Sequence, residues 1–174
     1  MSRSINSAKT FAETAESKMI EPSHLPSVMQ GLKEQSKTIA TINGSFDLLH
    51  AGHLEILYQA SLQADILVVG LNTDASIKKY KGPKRPIIPL KYRVRMIAAL
   101  EMVDFISWFD ETDPREWLCK IQPDVHVNGA EYGPDCIEAD VVRKYGGRIH
   151  LVEKIDGLST SAILQTLQEM LTCV

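Results

Sequence analysis

Two patterns of apolar positions alternate along the chain. Continuous apolar runs, of which ILVVGLN at residues 66–72 is the clearest, are typical of strands buried on both faces of a parallel sheet. Between such runs, apolar residues recur at spacings of three and four, as in Leu54, Leu57, Tyr58 and Leu62, and indicate helices. The patterns predict strands over 38–43, 66–72, 105–109, 125–127 and 148–152, and helices over 27–35, 54–62, 90–101, 114–121, 136–144 and 159–171.

Strands that alternate with helices predict an α/β fold. We expect a Rossmann-like three-layer α/β/α arrangement with a central parallel sheet of about five strands. Sheets of this kind bind ligands beyond the carboxyl ends of their strands, where the strand order reverses. Functional residues are therefore expected directly after Asn43, Asn72, Val127 and Val152.

The composition narrows the class of protein and of partner. The 174 residues are 44% hydrophobic and 24% charged, which predicts one globular domain, residues 24–174, after a leader, residues 1–23, that is poorly ordered or helical. Nineteen Lys and Arg against 22 Asp and Glu give a net charge of −3, so neither nucleic acid nor a membrane is expected as a partner. The chain has no apparent secretory signal and three cysteines without a CxxC pair, Cys119, Cys136 and Cys173, which favours the cytoplasm.

The strongest candidate chemistry follows the first strand, where residues 43–53 read NGSFDLLHAGH. Gly44 allows close approach of the backbone, and Gly52 removes side-chain bulk between His50 and His53, so that a phosphate could contact both imidazoles. The helix that begins here adds free N–H groups and a partial positive charge. A helix cap and a zinc site are the alternatives, but no cysteine or third histidine lies nearby in sequence.

This segment resembles a known signature. GSFDLLHAGH is similar to the GxFDxxHxGH motif of the nucleotidyltransferase superfamily that includes the cytidylyltransferases, and the longer stretch resembles D-glycero-β-D-manno-heptose 1-phosphate adenylyltransferases over residues 37–167. The resemblance implies that Asp47 binds the acceptor and that both histidines are catalytic. It also implies nucleotide contacts from this segment by Asn43, Gly44, Ser45, Phe46, His50, Gly52 and His53.

A second and a third matching segment supply cations. Residues 72–89, NTDASIKKYKGPKRPIIP, resemble a basic loop of the family, which implies that Lys79 and Lys81 bind phosphates of the acceptor and that Lys81 is also catalytic. A solvated basic loop is the structural alternative. Arg93 matches an arginine near the start of a helix, where a guanidinium can grip phosphate oxygens during catalysis.

Two later segments extend the nucleotide site. In residues 123–132, Asn128 and Gly129 match positions that face the nucleotide, although Asn128 replaces the lysine of the family and Ala130 replaces its glycine. Residues 157–161, GLSTS, match a motif whose hydroxyls and N–H groups bind phosphate, which implies nucleotide contacts by Ser159, Thr160 and Ser161. An ordinary helix cap can coexist with that role.

The implied reaction is attack by a sugar-phosphate oxygen on the α-phosphorus of a nucleoside triphosphate, with Mg²⁺ bound to the triphosphate and no metal ligands expected from the protein. ATP is favoured over CTP because Ala130 cannot accept a hydrogen bond from cytosine, and heptose 1-phosphate is favoured as the acceptor. A glycerol 3-phosphate cytidylyltransferase and a non-catalytic nucleotide-binding subunit are the alternatives. The resemblance also suggests a homodimer.

Overall fold

The computed structural model describes residues 10–153 and 159–172, and they form a parallel five-stranded sheet between helices. The sheet has the order β3-β2-β1-β4-β5 and consists of β1 (Ile39–Gly44), β2 (Ile66–Asn72), β3 (Phe105–Phe109), β4 (Val125–Gly129) and β5 (Arg148–Val152). The predicted fold class is confirmed. The strand order reverses between β1 and β4, which is where a parallel sheet opens a crevice for ligands.

Helices cover both faces of the sheet. They are α1 (Phe11–Ser17), α2 (Leu25–Glu34), α3 (Ala51–Ser61), α4 (Asp74–Lys81), α5 (Leu90–Ala98), α6 (Arg115–Ile121), α7 (Ala139–Lys144) and α8 (Thr160–Thr172), with a 3₁₀ turn at Ala130–Tyr132. Buried residues of α1, α3 and α5 pack on one face, and those of α2, α6 and α7 pack on the other. No helix among residues 10–153 and 159–172 is long and apolar enough to span a membrane.

Helix α4 lies where the sequence indicated a basic loop. Thr73 caps it by accepting a hydrogen bond from the Ser76 N–H at 3.2 Å, and Ile77 is its buried apolar side chain. A single turn of apolar contact is too little to produce a helical period in the sequence. The lysines of its last turn lie at the end where the helix dipole favours positive charge.

The described part of the expected leader packs on the rest of the domain. In residues 10–23, α1 is followed by a short extended segment in which the Ile20 N–H donates to Ile106 O, and the Ile106 N–H donates to Lys18 O, each at 2.8 Å. Ala15 and Ile20 are buried. Residues 1–9, Gly157, Leu158 and Cys173 lie outside the described part of the chain.

Candidate active site

A cavity of about 600 Å³ opens at the carboxyl ends of the strands, beside the reversal in strand order. Its volume is within the usual range for small-molecule sites. The structure brings to its walls Lys81 and all the residues expected to contact the nucleotide, which are Asn43, Gly44, Ser45, Phe46, His50, Gly52, His53, Asn128, Gly129, Ser159, Thr160 and Ser161. Asp47, Lys79 and Arg93 do not line it.

The turn between β1 and α3 lines the cavity. Phe46 and Leu48 both adopt left-handed backbone conformations, with φ of 45° and 53°. Such conformations are unfavourable for residues with a side chain and persist only where surrounding contacts hold them. In this turn the contacts come from two buried charged residues, Asp47 and Arg93.

Asp47 braces the turn in this structure, and its expected contact with the acceptor stays a prediction. Its carboxylate is fully buried and accepts hydrogen bonds from the N–H groups of Ile87 and Ile88, each at 2.9 Å, and from Arg85 Nε at 2.8 Å. Burial alone would raise the pKa of Asp47, but these N–H donors and the Arg85 charge lower it below the ordinary value. The carboxylate therefore ties the turn to the segment before α5.

Arg93 is a second brace in this structure, and its expected grip on phosphate in catalysis stays a prediction. Its guanidinium is fully buried and donates to Ser45 O at 2.6 Å, Asn72 O at 2.9 Å and Ile88 O at 2.9 Å. It also pairs with Asp74 at 2.7 Å. With these donors satisfied by the protein, Arg93 positions the ends of β1 and β2 and does not contact the cavity.

His50 and His53 lie stacked at the start of α3, with ring centroids 3.8 Å apart and an interplanar angle of 25°. The backbone N–H of His50 donates to Nδ1 of His53 at 3.4 Å. That bond requires a lone pair on Nδ1, so the proton of the neutral His53 ring is on Nε2, where it can be donated to a ligand. The buried Nδ1 of His50 has no partner among the described residues.

The surroundings favour the neutral form of both imidazoles. Burial lowers the pKa of His53 to about 4, with further lowering from the neighbouring His50 ring and from the positive charge of Lys81. Burial likewise lowers the pKa of His50. A bound polyanion would oppose these effects, because a nearby negative charge favours the protonated ring. The pair is thus suited to donate hydrogen bonds and to gain positive charge as negative charge develops beside it.

The two predicted lysines of α4, Lys79 and Lys81, point in different directions. Lys81 Nζ donates to Ser45 Oγ at 3.2 Å beside the cavity, and burial lowers its pKa, followed by the positive charge of Arg85. Lys79 Nζ instead donates to Asp110 O at 3.3 Å, and neither residue lines the cavity. They point apart because residues two positions apart on a helix do not share a face.

The start of α8 forms the wall beside the histidines. Ser159 Oγ accepts a hydrogen bond from the Ala162 N–H at 3.1 Å, so Ser159 caps the helix. Thr160 Oγ1 donates to Asp47 O at 2.8 Å and thereby fixes α8 to the β1–α3 turn. Two helix N-termini, those of α3 and α8, therefore meet at this side of the cavity.

A model of the cytidylyltransferase-like family matches residues 41–169, which contain most of β1, the stacked histidines and most of α8. The chain belongs to the cytidylyltransferase-like family. The family predicted from the GSFDLLHAGH motif is therefore confirmed.

Relatives of this cytidylyltransferase-like chain include larger proteins. It is 42% identical over 142 residues to the bifunctional protein HldE of Syntrophotalea carbinolica, with 81% of this chain and 29% of that protein covered. It is 43% identical over 138 residues to the protein of the same name from Azorhizobium caulinodans, with coverages of 79% and 29%. The chain thus spans less than a third of the length of these curated relatives.

Two solved structures are similar to this member of the family. The lipopolysaccharide core biosynthesis protein from Thermoplasma volcanium is 27% identical, with a TM-score of 0.55, and covers 68% of this chain and 97% of its own. Pantoate-beta-alanine ligase from Francisella tularensis, solved with beta-gamma ATP and beta-alanine, has a TM-score of 0.60 at 14% identity, with coverages of 85% and 72%. The second likeness shows the fold alone.

Several cavity residues of this cytidylyltransferase-like domain were not predicted from the sequence. Asn72 ends β2, as expected of a functional position, but its side chain accepts from Tyr80 and donates to Ser76, which places Tyr80 on the cavity wall. Glu138, just before α7, lies in the cavity wall and accepts a hydrogen bond from Asn128 at 3.1 Å. No sequence motif marks Glu138.

Proposed function

We propose that this protein transfers a nucleotidyl group from a nucleoside triphosphate to a sugar phosphate and releases pyrophosphate. ATP is the favoured donor and heptose 1-phosphate the favoured acceptor, as in ADP-heptose synthesis. The stacked neutral imidazoles of His50 and His53 at the N-terminus of α3, inside the cavity, carry this proposal. Membership in the cytidylyltransferase-like family and the HldE relatives support it.

The site residues stabilise negative charge on the phosphates and hold the two substrates in position. A phosphate oxygen of the acceptor attacks the α-phosphorus, and the bond from that phosphorus to the bridging oxygen of pyrophosphate breaks. The attacking phosphate is already largely dianionic at neutral pH, since its second pKa is about 6, so no general base is required. His50 and His53 donate to the phosphoryl oxygens as negative charge develops, while Lys81 holds the phosphates.

We infer that Mg²⁺ would enter the site bound to the triphosphate. No group of three or more His, Cys, Asp or Glu side chains in the described parts of the chain could hold a metal ion. Mg²⁺ commonly keeps water ligands and binds through substrate phosphates, so the triphosphate oxygens would carry it into the cavity. When bound, it neutralises phosphate charge and helps pyrophosphate leave.

Pyrophosphate release, measured with each of four nucleoside triphosphates against a panel of sugar phosphates, tests the proposal. We expect turnover with ATP and heptose 1-phosphate, and Mg²⁺ dependence. Turnover with CTP and glycerol 3-phosphate alone would replace the substrate assignment, and nucleotide binding without turnover for any pair would identify a non-catalytic subunit. We further propose that the protein is a cytoplasmic homodimer, which sedimentation of the purified chain and cell fractionation would test.

A further inference from the structure

The cavity wall that follows β4 differs in chemistry from the wall that holds the histidines. We name it the β4–α7 segment, residues 128–138, which runs from the end of β4 through the 3₁₀ turn to the residue before α7. The residues of this segment that line the cavity are Asn128, Gly129, Glu131, Tyr132, Ile137 and Glu138. The segment contains no Lys, Arg or His side chain, so it offers no positive charge to a phosphate. This wall therefore suits a part of the substrate other than its phosphates.

Two large side chains of the β4–α7 segment stay exposed although they line the cavity. Tyr132 is 64% exposed and Ile137 is 55% exposed. Side chains of this kind bury their surface well against a flat ring, and stacking on an aromatic side chain is a common way to hold a nucleobase. Because Asn128 and Gly129 are also expected to contact the nucleotide, this wall fits the base, while the phosphates extend toward the histidines.

Glu138 places a buried carboxylate at the base end of the cavity. It is 6% exposed, and its Oε2 accepts a hydrogen bond from Asn128 Nδ2 at 3.1 Å. The Cys136 thiol interacts with it, and it forms no salt bridge among the described residues. Glu131, the other carboxylate on this wall, is exposed, so water competes with a ligand for it. Glu138 is therefore the carboxylate that gains more from a further N–H donor.

A carboxylate in this place selects among bases by the groups on their edges. Adenine and cytosine each carry an exocyclic amine, which donates hydrogen bonds, whereas guanine and uracil carry a carbonyl oxygen at the corresponding position. A hydrogen bond from the amine to a charged acceptor is about twice as strong as a neutral one, and a carbonyl oxygen in its place is repelled. Guanine has other N–H groups that a carboxylate could accept from, so GTP belongs in the test.

On the basis of the proposed function, we propose that Glu138 determines specificity for the nucleotide by accepting a hydrogen bond from the exocyclic amine of its base. Asn128 is a positioning residue, since its Nδ2 holds the carboxylate at the end of β4. The adenine of ATP, the favoured donor, then lies against Tyr132 and Ile137 with its amine toward Glu138.

The test combines Glu138→Gln in the protein with removal of the amine from the nucleotide. Purine riboside triphosphate is ATP without its exocyclic amine, and binding measured by calorimetry without acceptor needs no turnover. Wild type should bind ATP about tenfold or more tighter than purine riboside triphosphate, the gain typical of a hydrogen bond to a charged group. In Glu138→Gln the two nucleotides should differ by about twofold or less, because the amide nitrogen cannot accept from the amine. Unchanged affinity for purine riboside triphosphate shows that the variant is folded.

The same measurements separate failure of the Glu138 assignment from failure of the proposed function. Asp140→Asn, at an exposed position on α7 outside this cavity, is the matched control and should keep the wild-type preference for ATP. Equal weakening of both nucleotides by Glu138→Gln, or an unchanged preference, would overturn the assignment and leave the proposed function standing. A selective loss of GTP affinity would overturn it in favour of the guanine N–H groups.

The outcome for wild type completes the distinction. The expected preference in a wild-type protein that turns over no acceptor would support the assignment and refute the proposed function. Absence of nucleotide binding by wild type would overturn both.

Discussion

Replacing Arg93 by methionine tests whether this arginine braces the site or binds substrate. Methionine fills a similar volume but removes the donors to the carbonyls of Ser45, Asn72 and Ile88 and the pairing with Asp74. Each acceptor lies 2.6–2.9 Å from the guanidinium, whose side chain is fully buried. The substitution therefore leaves polar groups without the partner they have in the folded state.

The expected loss of stability is large. Three carbonyl oxygens lose their buried donor at about 1 kcal/mol or more each, about 3–5 kcal/mol in all, whereas Asp74 adds little because its side chain is 36% exposed and water can solvate it. Against a typical total of about 5–15 kcal/mol, such a loss is a substantial fraction. For a chain of this size it lowers the melting temperature by about 6–20 °C, since each kcal/mol shifts it by about 2–4 °C.

Urea unfolding followed by circular dichroism measures this loss. Arg95→Ala is the control, because Arg95 is an exposed arginine of the same helix that lies over the Phe11 ring, 5.2 Å from its centroid. We expect the control to change the unfolding free energy by about 1 kcal/mol or less. An Arg93→Met protein with wild-type stability but weak triphosphate binding would show that the guanidinium contacts phosphate, and would refute its role as a brace.

Three further predictions follow from other contacts. Asp47→Asn puts an amide where two backbone N–H groups and a guanidinium donate, and we expect it to lower the free energy of unfolding in urea by about 2–4 kcal/mol. Wild-type stability would show that the carboxylate is dispensable. Gly70→Ala should lower the melting temperature, since a Cβ there would meet the Trp117 ring at 2.7 Å; an unchanged melting temperature would contradict that packing. Burial lowers the pKa of His53 to about 4 in the folded protein, so between that pH and about 6.5 the unfolded chain binds more protons. The unfolding free energy should therefore be greatest above about pH 6.5, and it should fall as the pH drops from about 6.5 to about 4. His53→Asn should flatten this dependence, and an identical pH profile for the two proteins would exclude His53 as its source.

The sheet could be predicted because its strands are nearly continuous apolar runs. Residues 66–72 and 105–109 form strands with the predicted bounds. A strand buried on both faces can be recognised from its own continuous apolar run. Helix α4 could not be predicted in the same way, because Thr73 caps it but little apolar surface anchors it. Its basic end looks like a solvated loop in the sequence.

The sequence does not show in which direction a side chain of the site points, and this limited the prediction of the site. The motif placed Asp47 and Arg93 near the ligand, but residue type alone cannot tell a charge that faces a cavity from one that faces the backbone. Both are fully buried, where a charge must be paired. Glu138 was missed for another reason, since its contact with Asn128 depends on how the segment before α7 folds back to the end of β4.

The most direct test of the stacked imidazoles is the turnover number of His53→Asn. The asparagine carbonyl can still accept the hydrogen bond from the His50 N–H, while the Nε2 donor is lost. We predict that kcat for pyrophosphate release falls by about 100- to 1000-fold, the loss typical of removing one donor to a developing charge, with an unchanged melting temperature at neutral pH. Full turnover by a folded His53→Asn protein would contradict the role assigned to the imidazole pair.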